Sequence, residues 1–482
     1  MTEKQRQKYI NGSANLFVTG AAGTGKSYFL NQYIQSHENV LVCASTGIAA
    51  LNVGGDTIHK VFHVPVPAYE SPSFAKGKKG ALTMGMIAPI VQADTVIIDE
   101  ISMARADVFS FLVKVLRKAE REKGSPIKLI VCGDFSQLPP VVPKADMKLL
   151  KKFGFDESGY AFTTQEWKSC KFKVIELTDI HRQEDLEFIQ VLNQIRVGDI
   201  HDLSYFDRFV DENPNYEDAI CICGTNAEAE RLNQEYLDTI PGNTSVLQSR
   251  KEGRPVAGLI DDLIIVKEGC RIIFTANDTI HQNYKNGTFG VLTHIADDYV
   301  VVDIDGKTVS VRRREYPSYR YTAKSGSLQK EPLGKVWQYP FKLGKAITIH
   351  KSQGQTFDRA IISPEIFAAG QLYVALSRVT SPEGLTLLSP VKPEHVLVDS
   401  TVQKFYKNDY TWTVKKPVKK AVSKTSGSKS SAKSTAAKKS AVKKTTRKTT
   451  RKSSTKSSVK KSSPKKSSAK SSKSRSTTRK KK

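Results

Sequence analysis

The sequence predicts an α/β protein with two parallel-sheet units, the second interrupted by a small β-barrel, and a disordered basic tail after them. Three observations carry this. Short apolar runs recur, each ended by a polar or glycine-rich turn. The stretch 253–339 instead alternates apolar and polar residues. After Val414 the chain becomes Lys, Ser, Thr and Ala with almost no large apolar residue. At 482 residues it is too long for one core and predicts two to four domains.

In the first unit, 1–180, the runs Leu16–Thr19, Val40–Ala44, Thr95–Ile98, Leu129–Cys132 and Val174–Leu177 read as strands covered on both faces. Between them Phe109, Leu112, Val113 and Leu116 recur at helical spacing, predicting a helix over Val108–Ala119. The proline-rich stretch 64–80, with Lys76, Lys78 and Lys79, reads as an excursion from this unit. The second unit, 181–252 and 340–413, repeats the strand pattern in Ala219–Cys223, Ala346–Ile349, Ala360–Ser363 and Leu385–Leu388. In the insertion, Arg271–Phe274, Thr288–His294, Tyr299–Ile304 and Thr308–Arg312 alternate or are β-branched, and Asp305-Gly306 supplies a hairpin turn. The segment 414–482 cannot bury enough surface to offset its ordering entropy and is expected to be disordered.

The tail's 23 Lys and 4 Arg account for the whole net charge of +27, so the body is formally neutral. A neutral body holds nucleic acid only through a local positive groove. The N-terminus is polar, without the apolar core of a secretory signal, and no run reaches membrane-spanning length. The expectation is a soluble intracellular protein, nuclear if the cell is eukaryotic. Cys43, Cys132, Cys170, Cys221, Cys223 and Cys270 show no zinc-ligand spacing, and most of them read as buried free thiols.

The chemistry begins at Gly20-Ala21-Ala22-Gly23-Thr24-Gly25-Lys26-Ser27, between a strand and a helix. Such a loop turns backbone N–H groups around a phosphate, while the lysine reaches the β- and γ-phosphates and the Ser27 hydroxyl sits on Mg²⁺. Asp99-Glu100 follows an apolar strand: Asp99 is placed to hold hydrated Mg²⁺ and Glu100 to accept a proton from the attacking water. Gly133-Asp134-Phe135-Ser136-Gln137-Leu138-Pro139-Pro140 joins a carboxylate, an amide and a rigid double proline, and Gln137 suits a γ-phosphate sensor.

With these motifs the chain resembles the petite-integration-frequency helicases of superfamily 1B and, more distantly, the exonuclease V alpha chain and phage helicases of that branch. The resemblance runs over roughly 14–390, through the phosphate loop, Ser45–Phe62, Ile97–Met103, Gly133–Val141, Glu176–Gln183, Ile347–Phe357 and Gly370–Val379. It implies two RecA-like domains, ATP and Mg²⁺ as cofactors, and 5′-to-3′ translocation on single-stranded DNA. It also implies that Arg182 and Arg378 reach the γ-phosphate from the second domain, an effect typically worth about 10³–10⁵ in rate. The resemblance further places His59, His350, Lys351 and Ser352 along the DNA path, and Gln353 and Gly354 near the nucleotide cleft. Three departures stand out: Gln5 and Gln7 lie closer to the phosphate loop than the usual adenine-binding glutamine, Gly124-Ser-Pro replaces a double glycine, and the tail lies outside the resemblance.

The tail, with Ser463-Pro464-Lys465-Lys466 inside it, resembles linker-histone tails and predicts a nonspecific, salt-sensitive DNA tether. Expected partners are single-stranded and duplex DNA, with an RNA–DNA hybrid or G-quadruplex as further substrates, bound by a monomer or by a dimer on DNA. The alternatives are a non-motor DNA-binding ATPase switch and a helicase subunit of an exonuclease complex. A switch needs few of Glu100, Gln137, Arg182 and Arg378; a coupled motor needs all.

Overall fold

In the computed structural model the first sheet has six parallel strands: β1 (Leu16–Gly20), β2 (Val40–Ala44), β3 (Asp56–Thr57), β4 (Thr95–Asp99), β5 (Lys128–Cys132) and β6 (Lys173–Leu177). Their order is β3-β2-β4-β5-β1-β6. The structure describes residues 3–65, 68, 71–74, 81–200, 202–214, 219–255, 260–324 and 327–409. Much of the expected 64–80 excursion and all of the tail lie outside them.

Burial on both faces explains the unbroken apolar runs: β1, β4 and β5 are buried at every position. The helix expected at Val108–Ala119 extends further at both ends, spanning Ala106–Lys123 and ending where Gly124 takes φ 75°. Because all strands run parallel, their carboxyl ends share one edge, which brings Gly20, Asp99 and Gly133 together.

The second sheet is also parallel, in the order Ala346–Thr348, Ile220–Cys223, Ala360–Ile362, Leu385–Leu387. The insertion is β-structured as expected, and Asp305 (φ 53°) with Gly306 (φ 80°) makes its hairpin turn. Its strands form a five-stranded antiparallel sheet that ends on Phe341–Leu343, a three-stranded sheet and a two-stranded ribbon. Strand pairing reaches back to Ser245, ahead of the boundary read from sequence. The long hairpin Arg314–Lys324/Ser327–Gln338 crosses to the first half, where Lys60 Nζ donates to Tyr319 O at 3.5 Å.

The C-terminal segment also returns to the first half. After the helix Ser400–Lys404, Phe405 stacks on Phe162 at 4.2 Å and packs against Phe17, Phe135 and Trp167. All six cysteines are buried and free. Among the described residues no helix is long and apolar enough to cross a membrane.

Candidate nucleotide cleft and strand path

The phosphate loop leaves β1 at Gly20 and enters the helix Lys26–Ser36 through Gly25 in the left-handed region. Gly23 has φ 80°, and a Cβ there would come within 2.6 Å of Arg182 Cβ, so the loop and the Arg182 backbone approach as closely as glycine allows. Thr24 Oγ1 donates to Ala21 O, and Lys26 Nζ donates to Gly20 O and Ala21 O, all at 2.9 Å. The loop offers backbone donors at the N-terminus of an eleven-residue helix, which fits a polyphosphate.

Asp99 ends β4. Burial pushes its carboxyl up, opposed by the Glu100 N–H, which donates to Oδ1 at 2.9 Å, and by the Lys26 charge. With the Ser27 hydroxyl, Asp99 supplies the hard oxygen donors that suit Mg²⁺. Glu100 sits at φ 51°, ψ 47°, a conformation that costs a non-glycine residue about 1–3 kcal/mol. The Ser45 hydroxyl donates to its carbonyl at 2.7 Å and helps fix that turn. Burial first, then the neighbouring Asp99, pushes the Glu100 carboxyl up to about 7.

The second half faces these groups. Gln353 Nε2 donates to Glu100 Oε2 at 3.0 Å and to Gln137 Oε1 at 3.5 Å. Arg182 Nη1 and Gln183 Nε2 both donate to Ser377 O, at 2.9 and 3.2 Å. Arg378 is 2% exposed, and its guanidinium hydrogen-bonds to neutral oxygens: Val374 O, Gln355 O and Ser377 Oγ. Burial and the nearby Arg182 charge push it down to about 9, so it remains a cation at neutral pH. Burial also lowers Arg182. Two desolvated cations beside a phosphate loop are stabilised by an anion between them.

Two contacts here were not read from sequence. Ala22 N–H donates to the Tyr373 hydroxyl at 2.7 Å, joining the phosphate loop to the second half. Arg196 clamps Asp134 through two hydrogen bonds, at 2.9 and 3.0 Å. Tyr373 lay inside a quoted motif, Gly370–Val379; nothing in the sequence marks Arg196.

Gln7 lines a cavity of about 470 Å³ with Phe29, Tyr33 and His37 beside the helix that follows the loop; the Gln5 side chain lies outside the described residues. Of the expected strand contacts, His59 is exposed on the short helix Ile58–Val61. Lys351 is exposed and His350 half-buried on Ile349–Ser352, and burial lowers both histidines, favouring neutral imidazoles. Ser352 differs. It is fully buried, with its hydroxyl donating to Ile349 O at 2.8 Å, so its side chain faces the core here. Gly354 is exposed near Asn52.

The pattern of the family described as PIF1-like helicase matches residues 5–205. The chain is 31% identical over 432 residues to the ATP-dependent DNA helicase Pif1 of Campylobacter jejuni, covering 82% of this chain and 94% of that protein. It is 31% identical over 416 residues to the human ATP-dependent DNA helicase PIF1, covering 81% of this chain and 61% of that one. Among solved structures, Bacteroides sp Pif1 in complex with ADP-AlF4 matches with TM-score 0.74 and 32% identity over 84% of this chain and 96% of that one. Bacteroides Pif1 bound to ssDNA matches over the same shares with TM-score 0.59.

Proposed function

The chain belongs to the PIF1-like helicase family and is an ATP-dependent DNA helicase, and we propose that it uses this cleft to drive 5′-to-3′ movement on single-stranded DNA and duplex unwinding in replication, repair or recombination. One observation carries the reading: Gln353, from the second half, bonds to both Glu100 and Gln137 of the first. A group that spans both halves registers their separation at the atoms where water would be activated.

In this reading 1–180 is the first RecA-like domain, 181–252 with 340–413 the second, and 253–339 an inserted barrel. Lys26 and the loop N–H groups hold the phosphates, Ser27 and Asp99 would hold Mg²⁺, which would supply charge neutralisation there, and Glu100 takes the proton of the attacking water. Gln137 senses the γ-phosphate, while Arg182 and Arg378 offset the charge spreading over its equatorial oxygens. Gln353 and Gly354 line the cleft. His59, His350 and Lys351 grip the strand by its backbone, without reading bases. Ser352 supports that helix from within and reaches a strand only if the helix reorients. The test is unwinding of duplexes with a 5′ or a 3′ single-stranded overhang. Activity on the 5′ form alone is expected; preference for the 3′ form overturns the polarity.

A further inference from the structure

Asp134 is 1% exposed and sits at the head of the Gln137 loop. Arg196 Nε donates to its Oδ2 at 2.9 Å and Arg196 Nη2 to Oδ1 at 3.0 Å. The Tyr406 hydroxyl donates to Oδ1 at 3.2 Å, the Ser136 N–H to Oδ1 at 3.1 Å, and Gln137 Nε2 to Oδ2 at 3.4 Å. Burial alone would raise this carboxyl; the Arg196 charge overcomes it and holds Asp134 below its ordinary range.

The donors come from three places. Arg196 lies in the last turn of the helix Leu186–Val197, whose Phe188, Val191, Leu192 and Ile195 are buried in the second half's core. Tyr406 follows Phe405, which is buried in the first half's aromatic cluster, and its oxygen also accepts the Phe135 N–H at 3.1 Å. Gln137 belongs to the loop itself. One buried carboxylate thus ties a helix of the second half, the C-terminal segment and the Gln137 amide together.

We propose that Arg196 and Tyr406 are positioning residues that set the Gln137 amide and pass movement of the second half to it. The proposal rests on reading Gln137 as the γ-phosphate sensor. Removing one partner of a buried ion pair leaves an uncompensated charge, so when the halves move the loop follows Arg196 and the pair stays intact. The two-point contact fixes orientation as well as distance, which a lysine cannot do. Oδ2 takes both Arg196 Nε and Gln137 Nε2, so a shift of the guanidinium is felt directly at the amide. From Gln137 the hydrogen bonds continue through Gln353 to Glu100. Tyr406, on the C-terminal segment packed against the first half's core, holds the other oxygen and keeps the carboxylate from being drawn out with Arg196.

The experiment uses the full chain with Arg196→Lys, which keeps the charge, Tyr406→Phe, which removes one hydroxyl, and Gln137→Ala as reference. Hydrolysis with saturating oligo(dT), affinity for a fluorescent ATP analogue and thermal melting are read on each. Expected is a fall in kcat of about tenfold for Arg196→Lys and severalfold for Tyr406→Phe, with nucleotide affinity held within about twofold. Adding Arg196→Lys to Gln137→Ala should cost nothing further, because both act on one step. Wild-type kcat in Arg196→Lys and Tyr406→Phe with an inactive Gln137→Ala overturns the positioning role alone. So does equal loss of nucleotide affinity and kcat, which marks a merely structural pair. A fully active Gln137→Ala overturns the sensor reading instead.

Discussion

Gln353 Nε2 donates to Glu100 Oε2 at 3.0 Å, joining the two α/β halves at the residue proposed to take a proton from water. Burial and Asp99 push that carboxyl up to about 7, and only its charged form accepts a proton. Hydrolysis should therefore fall as pH drops through about 7, with kcat/KM flat above. A donor on the carboxylate favours the charged form, so Gln353→Ala should move the midpoint to higher pH. Steady-state pH profiles check both; an unmoved midpoint in Gln353→Ala would count against the contact acting in solution.

Lys26→Ala and Glu100→Gln should each abolish DNA-stimulated hydrolysis, with Glu100→Gln still binding nucleotide. The glutamine is nearly isosteric and relieves the repulsion from Asp99. Equilibrium binding of a fluorescent ATP analogue beside a phosphate-release assay separates the two effects, and robust turnover in either variant would remove these residues from the site.

Arg378 is held among neutral oxygens and beside Arg182, an arrangement that stabilises the folded chain poorly and an incoming anion well. Arg378→Ala should lower kcat by about 10³ while leaving most nucleotide affinity, because in the proposed role the guanidinium acts on charge that develops during transfer. Single-turnover hydrolysis distinguishes this from slow product release. A loss of under about tenfold would return Arg378 to a structural role.

Gly370 takes φ 74°, and a Cβ there would lie 2.3 Å from Gln137 O and 2.7 Å from Ser136 O. Gly370→Ala must displace the Gln137 loop, so a stability loss of about 2 kcal/mol or more is expected, with hydrolysis falling alongside. Gly124, also left-handed at φ 75° but with nothing within 4 Å of a Cβ, is the control. Gly124→Ala should cost only about 1 kcal/mol and leave hydrolysis intact. Thermal melting of the two variants separates conformational cost from collision.

What the sequence made legible was whatever a single segment determines. A strand ending in Gly20–Ser27 or Asp99-Glu100 declares its chemistry locally, and parallel pairing then gathers those ends at one edge. The missed contacts join distant segments: Tyr373 to Ala22, Arg196 to Asp134, and Tyr406 to Phe135. No periodicity in Leu186–Val197 distinguishes Arg196 from a solvated last-turn cation; only packing buries it against a carboxylate. Ser352 shows the converse, since a motif fixed its neighbourhood but not which way its hydroxyl faces. The pairing ahead of the insertion was not legible for a related reason: Ser245–Gln248 gains its partner only from Leu263–Val266.

The formally neutral body and the tail's 27 cations make the tail's contribution separable by salt. Each single-strand phosphate neutralised adds about 0.7 to the slope of log affinity against log salt. A chain ending at Thr413 should therefore bind single-stranded DNA with a shallower slope and lower affinity at low salt, converging with the full chain as salt rises. Hydrolysis at saturating DNA should be unchanged, since the described cleft residues all lie before the cut. Processivity, measured as product per binding event with a trap strand, should drop if the tail keeps the motor on its track. Identical slopes and affinities for the two chains would eliminate the tether and leave the body, through the contacts proposed for His59, His350 and Lys351, to hold the DNA by itself.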